Sequence, residues 1–184
     1  MTNCHIHFGP LNEIRQRCVE SQIKYCGLHK LVIDDGNVEG YIREMMDDLG
    51  IKERPRRFDL THPKGRVVVS DWLRFWLCTW IPSLNFMCSD LEILKPIDFD
   101  FDPRFPYAAG FSNGGIDYCW TICNGQGERF EDYLKKQIID DRIDVFQNIG
   151  IADIGFKPIP PEYHRHHSID MIYEPDKWQA FRFW

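Results

Sequence analysis

The fold of this chain is decided by one unusually apolar segment, residues 67–81, which reads VVVSDWLRFWLCTWI. Three consecutive β-branched residues at 67–69 predict a strand. Ser70 or Asp71 can then cap a helix that continues through Ile81 and ends at Pro82. That helix is apolar on nearly all sides, so we expect it to lie at the centre of the core or to be covered by a partner. A helix of about ten residues is too short to span a bilayer.

The residues before this segment predict two strands, each followed by a helix. Apolar and polar residues alternate over 4–8, and apolar residues at helical spacing follow over 11–26. A second short strand is predicted over 28–34, and Asn37 can cap a second helix that ends at Gly50. The basic segment 52–66 contains two prolines and is expected to be largely irregular.

The residues after the apolar segment predict further strands and one long helix. Acidic residues mixed with Leu, Ile and Phe predict an edge strand over 90–101, and another strand is predicted over 116–123. Residues 128–148 show the spacing of the longest helix, and a closing strand is predicted over 179–184. These elements favour an α+β fold in which a mixed, largely antiparallel sheet is packed by about four helices.

Length and composition indicate one compact folded domain. The chain has 184 residues, of which 43% are hydrophobic and 14% aromatic, far above what disordered chains carry. That length suffices for one sizeable core but is short for two, so residues 1–184 are predicted to form a single domain. The formal charge of −6 disfavours direct binding to nucleic acid or to an anionic membrane.

Cysteine usage and the first residues of the chain predict a reducing environment. Seven cysteines are an odd number in a chain that needs no disulfide staples, so we expect all of them to be reduced. The opening residues contain no basic region followed by an apolar run, and no window approaches about eighteen consecutive apolar residues. The location predicted from these features is the cytoplasm.

Histidines and cysteines grouped near the N terminus are candidates for a zinc site. His5 and His7 share one face of the first predicted strand, and Cys26 and His29 are separated by two residues. Thiolate and imidazole groups are the ligands that zinc prefers, and a structural site needs about four of them. The candidate ligands are therefore Cys4, His5, His7, Cys26 and His29, and without such a site no cofactor is expected.

Cys119 and Trp120 are the next candidates for chemistry. This dipeptide resembles the nucleophile dipeptide of papain-like cysteine proteases, which implies Cys119 as a nucleophile and a base from the histidine cluster at 164–167. Those proteases place the cysteine at the start of a long helix, whereas the turn signal at 124–127 interrupts any such helix here. The alternative for Cys119 is a small core side chain on an aromatic-rich strand.

The histidine cluster itself suggests a second chemistry. His166, Ser168 and Asp170 fall on one face of a predicted strand, an arrangement suited to acid–base catalysis or to phosphate binding. The cluster of His164, His166 and His167, with His5 and His7 as further candidates, defines one alternative function, a histidine- or metal-dependent hydrolase. The resemblance to paired-histidine phosphodiesterases needs a hydroxyl in each of two motifs, and residues 5–7 contain none.

Aromatic and charged residues favour a role in protein binding. Tyr, Trp, Phe and Arg anchor protein interfaces, and no glycine-rich phosphate loop occurs at 112–115 or 124–127. Our first hypothesis is therefore a small cytoplasmic inhibitor protein of the immunity, viral accessory or counter-defence type, which occludes a target surface. The residues expected to bind the partner protein are Trp72, Trp76, Trp80, Asp98, Asp100, Asp102, Arg56 and Arg57.

A third function belongs to a different class. In a zinc-stabilised or self-associating structural protein, Trp72, Trp76 and Trp80 would form the contact between the two copies of a homodimer. Residue patterns leave these alternatives open, because they identify neither the partner nor a complete set of metal ligands.

Overall fold

The computed structural model describes residues 1–97, 100–102, 104–110, 116–123, 131–132, 134–135, 155–160, 163–166 and 180–182. This part of the chain contains three helices, which are α1 (Glu13–Cys26), α2 (Val38–Asp48) and α3 (Pro63–Trp80). Its nine strands are β1 (Thr2–Ile6), β2 (Leu31–Ile33), β3 (Leu84–Cys88), β4 (Leu91–Ile93), β5 (Tyr107–Gly110), β6 (Ile116–Cys123), β7 (Lys157–Ile159), β8 (His164–His166) and β9 (Ala180–Arg182).

The strands form two sheets. Six of them lie in the order β2-β1-β3-β6-β5-β7, and the other three in the order β4-β9-β8. The pairs β1–β2, β1–β3, β5–β7 and β8–β9 are parallel, and the pairs β3–β6, β5–β6 and β4–β9 are antiparallel. The prediction of an α+β fold with a mixed sheet is confirmed. The prediction of a largely antiparallel sheet is wrong.

Helical connections explain the parallel pairing. A helix that follows a strand carries the chain back to the starting end of the sheet, so the next strand runs parallel to the first. Helix α1 makes this crossover between β1 and β2, and α2 together with α3 makes it between β2 and β3. Two strands each followed by a helix therefore already imply a parallel N-terminal half.

A chain of buried hydrogen bonds fixes the register at the centre of the large sheet. Asn85 in β3 donates to Asn3 Oδ1 in β1 at 3.0 Å and accepts from Trp120 Nε1 in β6 at 3.1 Å. Asn3 in turn donates to the carbonyl of Cys26 at the end of α1, at 2.6 Å. Slipping β1 against β3 by one residue would leave these buried amides without partners, so this register is strongly favoured.

Apolar side chains pack in two clusters, one on each face of the large sheet. The larger cluster joins the sheet to α2 and α3 and includes Phe86 and Trp72. The smaller cluster includes Met87, Trp120 and Ile122. Phe86 and Met87 are consecutive in β3, so the alternation of side chains along a strand assigns them to opposite clusters.

Helix α3 is the central helix predicted from the apolar segment, but it begins earlier than expected. Pro63 occupies its first turn, and His62 Nδ1 accepts a hydrogen bond from the N–H of Lys64 at 3.2 Å. The helix therefore includes residues 67–69, which were predicted as a strand. Val69 and Trp72 lie on its buried side, so packing against the sheet outweighs the preference of valine for strands.

Several other predictions differ from the structure or lie outside the described residues. Strand β3 was not predicted, and among the described residues of the edge strand expected over 90–101, only β4 (Leu91–Ile93) is a strand. The described residues contain three helices rather than about four. Most of the helix predicted over 128–148 lies outside them, and 131–132 and 134–135 are helical. In the described part, no helix is both long and apolar enough to cross a membrane.

Candidate functional site

The parallel strands β1 and β3 end side by side, at the point where the order of the strands in the sheet reverses. From β1 the chain crosses to β2 on one side, and from β2 it returns to β3 on the other side of β1. Ile6 and Cys88 are paired at the carboxyl ends of β1 and β3. In open sheets of this kind, ligands bind in the crevice outside the carboxyl ends at the reversal point. We refer to this place as the β1–β3 crevice.

The loops after β1 and β2 are joined at this end of the sheet. The N–H of His7 donates to the carbonyl of Ile33 at 3.0 Å, and the N–H of Gly9 donates to Asp35 Oδ2 at 2.6 Å. Gly9 has a φ of 75°, a conformation that other residues rarely adopt. The carboxylate of Asp35 is therefore held against a stretch of backbone that has no side chain.

Two arginines of α3 lie near the same strand ends. An ideal Cβ placed on Gly9 would be 3.7 Å from Arg66 Nη1, so this guanidinium reaches the loop after β1. Arg74 is buried, with Nη2 3.4 Å from Cys88 Sγ and 3.3 Å from Asp71 Oδ1. Arg66 therefore lies beside the loop after β1, where a bound anion would meet its charge, whereas Arg74 is a buried group beside the end of β3 that is ion-paired with Asp71.

The turn between β3 and β4 adds a hydroxyl and a carboxylate. Ser89 and Asp90 form this turn and are both partly exposed. Carboxylates such as those of Asp35 and Asp90 accept hydrogen bonds from sugar hydroxyls, whereas guanidinium groups bind phosphate. The β1–β3 crevice thus has the chemical groups needed to recognise a ligand that carries both hydroxyls and phosphates.

Three histidines expected to bind metal do lie together. The rings of His5 and His29 are stacked, with centroids 4.9 Å apart and planes 6° apart, and the centroids of His5 and His7 are 5.1 Å apart. His5 is 2% exposed, and its Nδ1 lies 3.3 Å from the carbonyl of Met87. Burial, followed by the neighbouring His29 and His7, lowers the pKa of His5 to about 3. Burial also lowers the pKa of His29.

The arrangement of these histidines does not support the expected zinc site. Ring nitrogens bind metal in the plane of the ring, so the parallel rings of His5 and His29 do not direct their nitrogens to one point. Cys4 packs in the larger core cluster, on the other side of the strand from His5. Burial raises the pKa of Cys26 to about 11. Among the described residues, no group of three His, Cys, Asp or Glu side chains is arranged to hold a metal ion.

The tryptophans expected at an interface lie mostly in the core. Trp72 and Trp76 are buried, so in this fold they are core residues and cannot contact a partner, and Trp80 is 53% exposed. The guanidinium carbon of Arg57 lies 5.3 Å from the centroid of the Trp72 ring, and Arg56 is exposed. The proposed aromatic contact surface is therefore reduced to Trp80.

The acidic residues expected at an interface do not form a strand face. Asp100 is exposed in an irregular segment, and Asp102 pairs with Arg104 at 2.7 Å. The hydrogen bonds from Arg104 lower the pKa of Asp102 to about 2. Asp98 lies outside the described residues.

The structure describes only some of the candidate catalytic residues of the C-terminal half. Cys119 is buried in β6 within the smaller core cluster, which matches its alternative as a core residue. His164 and His166 lie in β8, in the smaller sheet. Ser168 and Asp170 lie outside the described residues.

The fold is shared with several solved glycosyltransferase structures. The chain is similar to the PaToxG glycosyltransferase at 12% identity, covering 83% of this chain and 66% of that chain, with a TM-score of 0.56. Mouse xyloside xylosyltransferase 1 in its apo form is 11% identical, with 99% and 97% of the two chains covered and a TM-score of 0.56. The galactosyltransferase LgtC, in complex with donor and acceptor sugar analogs, is 12% identical, with 100% and 87% covered and a TM-score of 0.52.

At these identities the similarity shows the fold alone, which is that of a class of sugar-transferring enzymes. No protein-family model and no curated protein sequence matches the chain.

These similarities correct the first functional hypothesis. A small inhibitor protein of the immunity, viral accessory or counter-defence type is contradicted, because the fold is one that glycosyltransferases use. The hypothesis rested on the many aromatic residues of the chain, which were expected to be available for binding. Two of them, Trp72 and Trp76, are buried in the core.

The residues near the carboxyl ends of β1, β2 and β3 were not predicted from the sequence. Gly9, Asp35, Arg66, Arg74 and Asp90 match no motif, because strands separated by many residues bring them together. One signal was present: Asp34-Asp35 and Ser89-Asp90 each directly follow a strand. Polar residues after parallel strands meet at one edge of a sheet, so a correct assignment of β3 would have pointed to this site.

Proposed function

We propose that the protein is a glycosyltransferase that takes its sugar from a nucleotide-sugar donor bound in the β1–β3 crevice. The observation that carries the proposal is the combination of carboxylates and guanidinium groups at this crevice, in a fold shared with three glycosyltransferases. The LgtC structure is a complex with donor and acceptor sugar analogs, so that relative binds both kinds of molecule within this fold.

Arg66 is the residue assigned to the phosphates of the donor. Its Nε donates to the carbonyl of Leu60 at 2.7 Å, which fixes the side chain while Nη1 reaches the Gly9 loop. A fixed guanidinium binds phosphate with less loss of side-chain entropy than a free one. Because Gly9 has no side chain, the backbone at this loop leaves room for a ligand to approach closely.

Asp35 is assigned to the ribose or sugar hydroxyls. In related parallel-sheet folds, an acidic residue at the end of the second strand accepts hydrogen bonds from the ribose. Asp35 lies two residues after the end of β2, and its Oδ2 accepts from the N–H of Gly9. Asp90, on the other side of β1, supplies a second carboxylate for hydroxyls of the transferred sugar.

Transfer of a sugar leaves a nucleoside diphosphate with additional negative charge. Guanidinium groups near the breaking bond stabilise that charge as it develops, and this lowers the barrier to the reaction. Arg66, whose Nη1 reaches the loop after β1, is assigned this role.

A binding and turnover assay tests the proposal. Calorimetric titration with UDP, GDP, ADP and CDP would identify the base, and release of that nucleotide from its sugar donors would report transfer or hydrolysis. Arg66→Ala should weaken binding of the preferred nucleotide by about tenfold or more, since a charge-assisted hydrogen bond contributes about 1.5–3 kcal/mol. Arg43→Ala, an exposed change on α2, should leave it unchanged.

The same assay can overturn the proposal. If the wild-type protein binds none of the four nucleotides and releases none from any sugar donor, the assignment is wrong. Equal loss of affinity in Arg66→Ala and Arg43→Ala would instead place the nucleotide away from the β1–β3 crevice. Thermal unfolding of each variant separates these results from a loss of structure.

A further inference from the structure

A single buried side chain of α1 brackets the turn that carries Ser89 and Asp90. Gln22 is 0% exposed, and its Nε2 donates to the carbonyl of Cys88 at 2.7 Å and to the carbonyl of Leu91 at 2.6 Å. These two carbonyls lie immediately before and after the Ser89–Asp90 dipeptide. Both donor hydrogens of the amide are therefore used on one turn, one on each side of it.

Neighbouring residues of α1 hold the strand that follows this turn. Ser21 Oγ accepts from the N–H of Ile93 at 2.9 Å, and Arg17 Nε lies 3.1 Å from Glu92 Oε1. These contacts fix β4 itself, whereas Gln22 is the described α1 residue that contacts both ends of the turn. The position of Asp90 relative to β3 therefore depends on Gln22 more than on the other two residues.

Helix α1 also connects to the other side of the β1–β3 crevice. It begins directly after the loop that contains Gly9, and Asn12 caps its first turn by accepting from the N–H of Arg15 at 2.9 Å. The end of the helix is joined to β1 through the hydrogen bond from Asn3 to the carbonyl of Cys26. A rigid helix fixed at both ends is a suitable support for a turn at the site.

We infer that Gln22 is a positioning residue for the proposed sugar transfer: it holds the Ser89–Asp90 turn so that the Asp90 carboxylate faces the donor. This inference rests on the proposed function. Gln22 itself is buried and is assigned no contact with the ligand. Its action passes through Asp90, which distinguishes it from a residue that only stabilises the fold.

The test replaces Gln22 by an amino acid of similar size without donors. Gln22→Met removes both hydrogen bonds and leaves two buried carbonyls, so hydrogen–deuterium exchange of the backbone N–H groups at 89–93 should accelerate at least tenfold. Gln16→Met makes the same chemical change on an exposed position of α1 and should leave that exchange unchanged. Unchanged exchange in Gln22→Met would overturn the inference, whatever the ligand.

A double-mutant cycle distinguishes positioning from general stabilisation. With the preferred sugar donor, Gln22→Met should lower kcat/KM by about tenfold in the wild-type background, the size expected for losing one to two hydrogen bonds. In the Asp90→Asn background the same change should have little further effect, because Gln22 acts through that carboxylate. An equal loss in both backgrounds would show a purely structural role and would contradict the inference.

Failure of the proposed function gives a different result. A wild-type protein that binds no nucleotide and releases none from a sugar donor would overturn the proposed function and, with it, the role of Gln22 in catalysis. The exchange measurement would still report whether Gln22 holds the turn, so the two failures are distinguishable.

Discussion

The backbone N–H of Gly9 and the carboxylate of Asp35 are joined by a 2.6 Å hydrogen bond, so the loops that follow β1 and β2 behave as one unit. The first loop has no side chain at this point, and the second supplies a charge. A ligand that enters the β1–β3 crevice would therefore meet a preformed surface rather than two independent loops.

Replacing Asp35 tests this junction. Asp35→Ala removes the acceptor of the Gly9 N–H, and we expect a loss of about 1 kcal/mol in the free energy of unfolding. Nucleotide affinity should fall as well, because the loop after β1 is then no longer fixed. Urea unfolding and calorimetry measure the two effects, and Asp47→Ala on the exposed side of α2 is the control. An Asp35→Ala protein with wild-type affinity would contradict the role of this carboxylate in binding.

Position 65 requires glycine because the backbone of α3 lies very close to the backbone at Asp59. An ideal Cβ at this position would lie 1.9 Å from the carbonyl oxygen of Asp59, and backbone cannot move aside as a flexible side chain can. We expect Gly65→Ala to destabilise the protein by about 2 kcal/mol or more. Gly40→Ala, inside α2 with no atom within 4 Å of the added Cβ, should be neutral or stabilising by up to about 1 kcal/mol.

Thermal and urea unfolding of both glycine variants provide the measurement. The contrast between them is the prediction, because the chemical change is the same. Equal stabilities for Gly65→Ala and Gly40→Ala would mean that the first turn of α3 does not pack against the loop at Asp59 as described.

The buried histidine stack predicts a loss of stability in acid. The pKa of His5 in the folded protein, about 3, lies below the ordinary value of 6.5, so the unfolded chain binds more protons between these pH values. The free energy of unfolding should therefore decrease as the pH falls below 6.5, by about 1.4 kcal/mol per unit for one imidazole. Well above pH 6.5, His5 is neutral in both states and does not make the free energy of unfolding depend on pH.

Urea unfolding at pH 7 and at pH 5 measures this dependence. In His5→Leu the titrating ring is absent, so its share of the slope should disappear even if the variant is less stable at both pH values. A variant that loses as much stability as the wild-type protein between pH 7 and pH 5 would show that the pKa of His5 is not lowered in the folded protein.

Trp76 links two helices through its indole. Its Nε1 donates to Asp48 Oδ2 at 2.9 Å, which ties α3 to the end of α2. Trp76→Phe should cost about 1–3 kcal/mol in the free energy of unfolding, since it removes this hydrogen bond and buried volume. Trp80→Phe makes the same change on a side chain that is 53% exposed and should cost less than about 1 kcal/mol.

Sequence patterns predicted local structure better than they predicted pairing. The helix expected over 11–26 corresponds to α1, and Asn37 directly precedes α2. The ends of these helices follow local signals, although the side chain of Asn37 bonds to Asp34 and Val32 rather than capping α2. The direction of the strands depends on which segments follow each other as strand, helix and strand, and reading residues 67–69 as a strand obscured the long crossover that precedes β3.

The candidate site was harder to predict than the fold, for a physical reason. Asp35, Arg66 and Asp90 come from the loop after β2, from helix α3 and from the turn after β3, and each is an ordinary polar residue when its own segment is considered alone. The histidines at 5, 7 and 29 were correctly expected to be near one another. Ring orientation, which decides whether they can share a metal, depends on packing that no spacing rule contains.

The hydrogen bond between Asn3 and Asn85 also bears on how the protein folds. These residues are 82 positions apart in the chain, as is every pair in the parallel ladder of β1 with β3. Pairings of such high contact order form slowly, because a long loop must close before they contribute any stability. During synthesis, the edge of β1 that pairs with β3 therefore stays unpaired until residues 84–88 have emerged from the ribosome. Substitutions of Asn3 or Asn85 should accordingly slow refolding as well as lower stability.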